Sequence, residues 1–209
     1  MIDAANTHGV KHFVYSSVLH PSLRKLMNHD CKRYVEEYLV ESGVPYTILQ
    51  PSHFMDTFPI QKLLSEEKPI YTALCNPDVK FSYTSLRDLG EAAAKILEQR
   101  EEHFHATYQL VSTSPLMSYR DVCEIASRVI GKNILLRTTP FQKTLEGNVG
   151  GMLGLPEDAY RRDGVQRMLL YYESRGLVGN TNVMRWILGR EPSGWEAWVK
   201  GKMRGLEGK

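Results

Sequence analysis

The chain has few cysteines and little net charge, and each lack argues against a class of protein. Its three cysteines, Cys31, Cys75 and Cys123, are widely spaced and odd in number, which argues against a disulfide framework and predicts reduced thiols in an intracellular compartment. The formal net charge is only +2, so no large positive field for nucleic acid is implied. We therefore expect no nucleic-acid partner.

Long hydrophobic runs are also missing. No apolar stretch approaches the roughly 18 residues that a transmembrane helix needs, and the first six residues contain an acid and no base, unlike a signal peptide. These features predict a cytoplasmic protein without a membrane partner. A nuclear location stays open.

Short apolar runs alternate with amphipathic segments along the first 140 residues. We predict strands over 10–16, 46–49 and 105–111, the first of them buried on both faces, and helices over 30–42, 89–98 and 119–130. Further predictions are shorter strands over 70–74, 79–83 and 133–137 and a helix over 54–65 that Pro59 interrupts. Strands that alternate with helices indicate an α/β fold with a parallel sheet.

The domain organisation follows from where this alternation stops. After Pro140 the pattern reads as helices and loops. We predict one sheet-containing domain over residues 1–140 and a helical tail over 141–209 that packs on the same domain.

The first strand ends in two serines, and a lysine lies on the helix that follows. In open parallel sheets ligands bind at the carboxyl ends of the strands, so the hydroxyls of Ser16 and Ser17 could meet a substrate or cofactor there. Lys32 could donate to ribose hydroxyls and lower the pKa of a nearby acid. Spacing alone favours a structural interpretation, in which Ser16-Ser17 ends the strand in a turn and Lys32 is a solvated helix residue.

Several segments, taken in order, resemble the NmrA-like family, which comprises atypical relatives of short-chain dehydrogenases with an NAD(P)-binding Rossmann fold. The segments are Gly-Val-Lys-His-Phe-Val-Tyr-Ser-Ser at 9–17, Lys32 with Glu36, Ser-Gly-Val-Pro-Tyr-Thr-Ile-Leu-Gln-Pro at 42–51, 81–94, 108–111 and 119–122. The resemblance covers nearly all of residues 1–140. It implies an incomplete Rossmann-type parallel sheet with a C-terminal helical lobe on the substrate side.

The resemblance also implies a set of site residues. Lys32 and Ser17 would be catalytic, and the cofactor would contact Ser16, Ser17, Lys32 and the residues after the second strand, namely Gln50, Pro51, Ser52, His53 and Phe54. No metal site is expected, because His103 and His105 have no evident carboxylate or cysteine partner.

The chain departs from the standard superfamily pattern at the catalytic tyrosine. Standard members carry Tyr-x-x-x-Lys, and here Asn28 stands four residues before Lys32. An amide has no proton to transfer in the relevant pH range, so it cannot replace a phenol as general acid. His29 is one residue out of register, and Tyr34 follows the lysine. This departure favours redox sensing or regulation over ordinary carbonyl reduction.

A second departure is the missing glycine-rich turn that would hold pyrophosphate at a helix N-terminus. Gly147, Gly150, Gly151 and Gly154 superficially resemble one, but no apolar strand leads into them. We therefore expect a chain that lacks the N-terminal part of the family fold and begins in the helix before its fifth strand. NADP or NAD would bind only if that part is supplied.

Three hypotheses remain open. The chain could be an NAD(P)-binding NmrA-like protein, or part of one, that acts in redox sensing or regulation, with a dinucleotide and a regulatory protein as partners. It could be a reductase of the isoflavone-reductase or quinone-reductase type that uses Lys32 with a serine or a cofactor-activated water. It could also be a non-binding remnant of a truncated gene.

Overall fold

A computed structural model describes residues 1–145 and 159–207. Its helices are α1 (Ile2–Thr7), α2 (Met27–Glu41), α3 (Ile60–Ser65), α4 (Leu86–Gln99), α5 (Tyr119–Ile130), α6 (Phe141–Leu145), α7 (Ala159–Tyr172), α8 (Asn182–Leu188) and α9 (Trp195–Glu207). Its strands are β1 (Phe13–Ser16), β2 (Tyr46–Pro51), β3 (His53–Phe54), β4 (Ile70–Ala73), β5 (Tyr83–Thr84), β6 (Ala106–Leu110) and β7 (Leu135–Thr138).

The largest sheet among the described residues consists of three parallel strands in the order β1-β2-β6. Tyr15 lies opposite Ile48, and Leu49 lies opposite Tyr108. Every residue of the central strand β2 is buried. Parallel neighbours need a crossover connection, which α2 supplies between β1 and β2. The predicted α/β fold with a partial parallel sheet is confirmed.

Helices cover both faces of this sheet, because successive side chains of a strand point to opposite sides. On one face Ile48 packs in a cluster with Ile2 of α1 and Leu39 of α2. On the other face Leu49 packs in a cluster with Ala92 of α4 and Met184 of α8. The carboxyl ends of β1 and β2 are therefore held between two helical layers.

The prediction that the first strand is buried on both faces is wrong. It begins later than expected, at Phe13, and its residues are half-buried except for Ser16, which is exposed. The physical reason is its place in the sheet: within the described residues β1 pairs only with β2. Val10 stays outside the strand because its main-chain N–H donates back to the Ala5 carbonyl of α1 at 2.9 Å.

The predicted strand over 79–83 is also wrong for most of its length. Only its last residue, Tyr83, belongs to a strand, the two-residue β5 that pairs with β3. Phe81 instead forms an isolated antiparallel bridge with Met117, and the Ser82 N–H donates to the Leu177 carbonyl at 2.8 Å. The main-chain partners of this segment therefore come from loops far along the chain.

Local signals located the other helices well. Ser118 begins α5 in a capping box with Asp121, in which the Ser118 N–H donates to the Asp121 carboxylate at 2.7 Å. Pro59 interrupts the predicted helix over 54–65, which is observed as a 3-10 turn at Met55–Thr57 followed by α3.

The helices after residue 140 contact the elements that precede them. α7 packs on α2, α8 packs on α4 and β6, and α9 packs on α5. Trp195 and Trp198 are buried in an aromatic core with Phe81 and Tyr83. The division into a domain over 1–140 and a tail over 141–209 stays a prediction. Within residues 1–145 and 159–207, no helix has the length and apolarity that crossing a membrane requires.

Candidate functional site

The carboxyl edge of the main sheet brings the end of β1 close to the second turn of α2. The Lys32 Nζ atom donates a hydrogen bond of 3.1 Å to the main-chain carbonyl of Ser16. The same ammonium lies 5.1 Å from the centroid of the Tyr15 ring. The serine and the lysine therefore share one side of the molecule, and the amine contacts the Ser16 carbonyl.

A second contact joins α2 to the end of β2 at this edge. The buried Gln50 side chain donates from Nε2 to both oxygens of the Glu36 carboxylate, at 3.0 and 3.1 Å. Glu36 lies one helical turn after Lys32, so both side chains lie on the same face of α2. Burial and the Glu36 charge raise the pKa of Tyr15. We call Ser16, Ser17, Lys32, Glu36 and Gln50 the sheet-edge site.

Ser17 differs from the other members of this site in how its side chain is bonded. Its side chain is buried, and among the described residues its hydroxyl oxygen has no hydrogen-bond partner. Its main-chain N–H donates to the Leu49 carbonyl at 2.7 Å, which holds it beside β2. Buried hydroxyls without a partner are uncommon in folded proteins, and this oxygen has almost no surface open to solvent.

The residues after β2 follow a different course from Gln50. The Pro51 carbonyl accepts from the Leu19 N–H at 2.8 Å, and the Ser52 hydroxyl donates to the Ser82 carbonyl at 2.8 Å. Phe54 packs with the apolar cluster beneath α4. Gln50 therefore contacts α2 through Glu36, whereas Ser52 and Phe54 make internal contacts. The cofactor roles of Pro51, Ser52, His53 and Phe54 stay predictions.

His53 lies within the aromatic core. Its ring makes edge contacts with Tyr83 at 5.3 Å and with Tyr119 at 6.1 Å between ring centroids, and its Nε2 atom is 3.4 Å from the Tyr119 hydroxyl. Burial lowers the pKa of His53 from 6.5 to about 4. The imidazole is therefore neutral at physiological pH.

This shift predicts that acid destabilises the protein through His53. The unfolded chain binds a proton on His53 below pH 6.5 and the folded protein only near pH 4, so stability falls as the pH falls through that window. Between pH 7.5 and 5 the loss due to this group should be about 2 kcal/mol. We expect His53→Phe to remove that part of the loss, as measured by urea unfolding at both pH values.

The exposed residue His8 offers a matched control. His8→Phe should keep the pH dependence of the natural protein. If His53→Phe loses as much stability as the natural protein between the two pH values, the neutral state of His53 is wrong.

Asn28 occupies the position of the missing phenol, one turn before Lys32. It is exposed, and its Nδ2 atom donates to the Met168 sulfur at 3.5 Å. The neighbouring His29 is fully buried, with its Nδ1 atom 3.2 Å from the His20 carbonyl oxygen. Tyr34 is exposed and stacks beneath the Arg33 guanidinium at 4.2 Å. Each of the three side chains is thus engaged away from the Ser16 carbonyl.

Sequence reasoning missed a pocket between α2 and α7. Met27, Asn28 and Cys31 line it from α2, and Tyr160 and Met168 line it from α7. The first three share a helix face at i, i+1 and i+4, which is the one local signal available. The α7 partners lie far along the chain, and nothing near Asn28 in the sequence indicates them.

Two other features were singled out in the sequence, the histidines at 103 and 105 and the glycines between 147 and 154. Both ring nitrogens of His103 are engaged, with the Tyr108 hydroxyl at 3.0 Å and with Gln99 Oε1 at 2.8 Å. In the part of the chain that the structure describes, no group of histidine, cysteine and acidic residues could hold a metal ion. The glycines from Gly147 to Gly154 lie outside the described residues.

Comparison with known proteins identifies the family. The model of the NmrA-like family matches residues 1–173. The chain belongs to the NmrA-like family. It is 32% identical over 139 residues to agroclavine dehydrogenase of Claviceps fusiformis, a match that covers 64% of this chain and 45% of that protein. The chain spans between about a third and a half of the length of the curated relatives it matches.

Solved structures show the same fold at low sequence identity. The NADPH-dependent quinone oxidoreductase QOR2 of Escherichia coli, solved with NADPH, superposes with a TM-score of 0.76 at 18% identity, over 97% of this chain and 69% of that one. The negative transcriptional regulator NmrA, solved with NADP, superposes with a TM-score of 0.66 at 16% identity, over 100% of this chain and 70% of that one. These similarities establish the Rossmann-like fold of this NmrA-like chain.

Proposed function

We propose that the protein containing this chain binds NAD(P) and acts in redox sensing or regulation rather than as a standard dehydrogenase. The observation that carries the proposal is the sheet-edge site, where Lys32 reaches the end of β1 while Asn28 replaces the phenol one turn earlier. Family membership supports it, as do the NADPH bound by QOR2 and the NADP bound by the regulator NmrA.

Each residue of the sheet-edge site has a defined part in this proposal. The bond to Ser16 orients the Lys32 ammonium, whose other protons are free to meet ribose hydroxyls. The unpartnered Ser17 hydroxyl would face the nicotinamide end of the dinucleotide. Glu36 holds the Gln50 amide in one orientation. Because the Asn28 amide cannot deliver a proton, the site would bind the reduced or oxidised nucleotide without turning it over.

The reductase hypothesis remains a second candidate, and one observation favours it. The relative agroclavine dehydrogenase carries an enzyme's name. In such an enzyme Lys32 would act with Ser17 or a cofactor-activated water. We further propose a cytoplasmic location, with the nucleus as the alternative, and a regulatory protein as partner.

The test measures nucleotide affinity in the longest in-frame product that contains residues 1–209. We expect that product to bind NADPH or NADH in calorimetry, and Lys32→Met to weaken binding about tenfold, because it removes a charge-assisted hydrogen bond. Lys68→Met, at an exposed lysine in the loop before β4, is the control and should leave the affinity unchanged. The 209-residue chain alone should bind no nucleotide measurably, because its sequence has no glycine-rich turn after a strand.

Three outcomes separate the hypotheses. Equal NADPH affinity in Lys32→Met and the natural sequence would remove Lys32 from the site. Steady oxidation of NADPH with menadione as acceptor would favour the reductase. If the full in-frame product does not bind NADPH or NADH, the hypothesis of a non-binding remnant remains.

A further inference from the structure

The pocket between α2 and α7 has the size of a small organic ligand. Its volume is about 220 Å³, and Met27, Asn28 and Cys31 face Tyr160 and Met168 across it. Gly164 of α7 also lines it; a Cβ atom there would lie 3.7 Å from the Met27 Cβ atom. An apolar cavity of about 150 Å³ accepts benzene. This space therefore fits one aromatic ring with a substituent, or two fused rings.

The walls of the pocket suit an aromatic ring. Met27 and Met168 contribute polarizable sulfurs, which make favourable contacts with aromatic rings. The charge that the neighbouring Cys31 thiol would carry when ionised raises the pKa of Tyr160. The lining also includes Arg161, and among the described residues it contains no carboxylate. A cationic ligand would therefore meet no counter-charge here, and burying its charge would cost more than burying a neutral ring.

Asn28 supplies the polar contact that would orient such a ligand. Its Nδ2 atom donates only to the Met168 sulfur among the described residues, at 3.5 Å, and a thioether is a weak acceptor. A ligand oxygen would be a better partner for the amide than this sulfur. Asn28, at the position where standard relatives carry a proton donor, therefore has an amide that could recognise a ligand oxygen.

We propose that the pocket between α2 and α7 binds an aromatic molecule of one or two rings that carries no positive charge and whose hydroxyl or carbonyl oxygen meets the Asn28 amide. Asn28 lies one turn before Lys32, so the pocket and the sheet-edge site share the helix α2. The assignment of this molecule as the ligand that accompanies the nucleotide rests on the proposed function. The binding itself does not, because it requires no nucleotide.

The first test uses four matched probes in calorimetry with the 209-residue chain. We expect 2-naphthol to bind with a Kd on the order of 100 µM, an ordinary affinity for a ligand of this size. The saturated analogue 2-decalinol, naphthalene without oxygen, and the cation 2-naphthylmethylammonium should each bind about threefold to tenfold more weakly. The proposal is overturned if any of the three binds as tightly as 2-naphthol, or if 2-naphthol does not bind.

The second test locates the binding with substitutions. Gly164→Leu places a side chain in the pocket and should weaken 2-naphthol binding at least about tenfold, whereas Gly90→Leu, in open space on α4, should leave it unchanged. Asn28→Leu should weaken 2-naphthol about threefold to tenfold and leave naphthalene unaffected. Thermal unfolding checks that each variant folds. Unchanged 2-naphthol affinity in both folded pocket variants would show that the ligand binds elsewhere.

The two proposals fail separately. 2-Naphthol binding is measured without nucleotide, and NADPH binding is measured without 2-naphthol. If NADPH binds and 2-naphthol does not, only the pocket proposal is refuted. If 2-naphthol binds and NADPH does not, only the proposed function is refuted.

Discussion

Gly176→Ala will destabilise the protein by about 2–5 kcal/mol, the largest effect we expect from adding a single methyl group. Gly176 follows α7 with a φ of +62°, and a Cβ atom there would lie 2.1 Å from the Lys80 carbonyl oxygen. The left-handed backbone alone costs a non-glycine residue about 1–2 kcal/mol, and overpacking adds about 1–3 kcal/mol. The Lys80 carbonyl cannot easily retreat, because main-chain hydrogen bonds to Met117 and Leu177 hold the next two residues.

Gly189→Ala is the matched control for this prediction. Gly189 has nearly the same φ, +67°, and a Cβ atom there would meet nothing within 4 Å. We expect a loss of about 1 kcal/mol, from the backbone alone. Both losses are measured by urea unfolding followed by circular dichroism. If the free energy of unfolding falls equally in the two variants, the close approach of a Cβ atom to the Lys80 carbonyl does not destabilise the protein.

Asp88→Ala should cost about 2–4 kcal/mol, the second large effect. Asp88 has no solvent exposure, and its carboxylate accepts hydrogen bonds from the Ser112 hydroxyl at 2.8 Å and from the Ser193 N–H at 2.7 Å. The Arg190 guanidinium approaches it at 3.0 Å. Removing this buried carboxylate leaves the Ser112 hydroxyl and the Ser193 N–H without their acceptor, which is destabilising.

The control for Asp88 is an exposed pair of the same chemistry. Asp78 contacts Arg120 at 2.7 Å, and its side chain is 61% exposed. Asp78→Ala should therefore cost less than about 1 kcal/mol. The midpoints of thermal unfolding compare the two variants; for a chain of this size the Asp88 variant should melt roughly 5–15 °C lower. A shift as small as that of the Asp78 variant would refute the buried role of Asp88.

The sequence predicted that Ser16 and Lys32 lie toward one cleft at the sheet edge. The order of strand, serine, lysine and second strand places the ends of β1 and α2 at one edge, and there Lys32 contacts the main-chain carbonyl of Ser16. Ser118 and Pro59 likewise define helix starts through chemistry within a few residues. These features were predictable because each depends on neighbours close along the chain.

The features that were missed depend on contacts between distant parts of the chain. Asp88 looks like a cap for its own helix, yet its carboxylate joins α4 to Ser112 after β6 and to Ser193 before α9. Phe81 looks like a strand residue until Met117 supplies its main-chain partner. The α7 wall of the pocket around Asn28 has no counterpart nearby in the sequence. Hydrophobic periodicity indicates which face of a helix or strand is apolar. It does not indicate which other element packs against that face.

One structural feature has a thermodynamic consequence of its own: a single helix, α2, carries both Lys32 and the wall of the pocket formed by Met27, Asn28 and Cys31. If a ligand in the pocket tilts α2, the Lys32 ammonium moves relative to Ser16. Linkage then requires reciprocity, so the factor by which the occupant alters dinucleotide affinity equals the factor by which the dinucleotide alters the occupant's affinity. One cycle of four binding constants would measure that common factor.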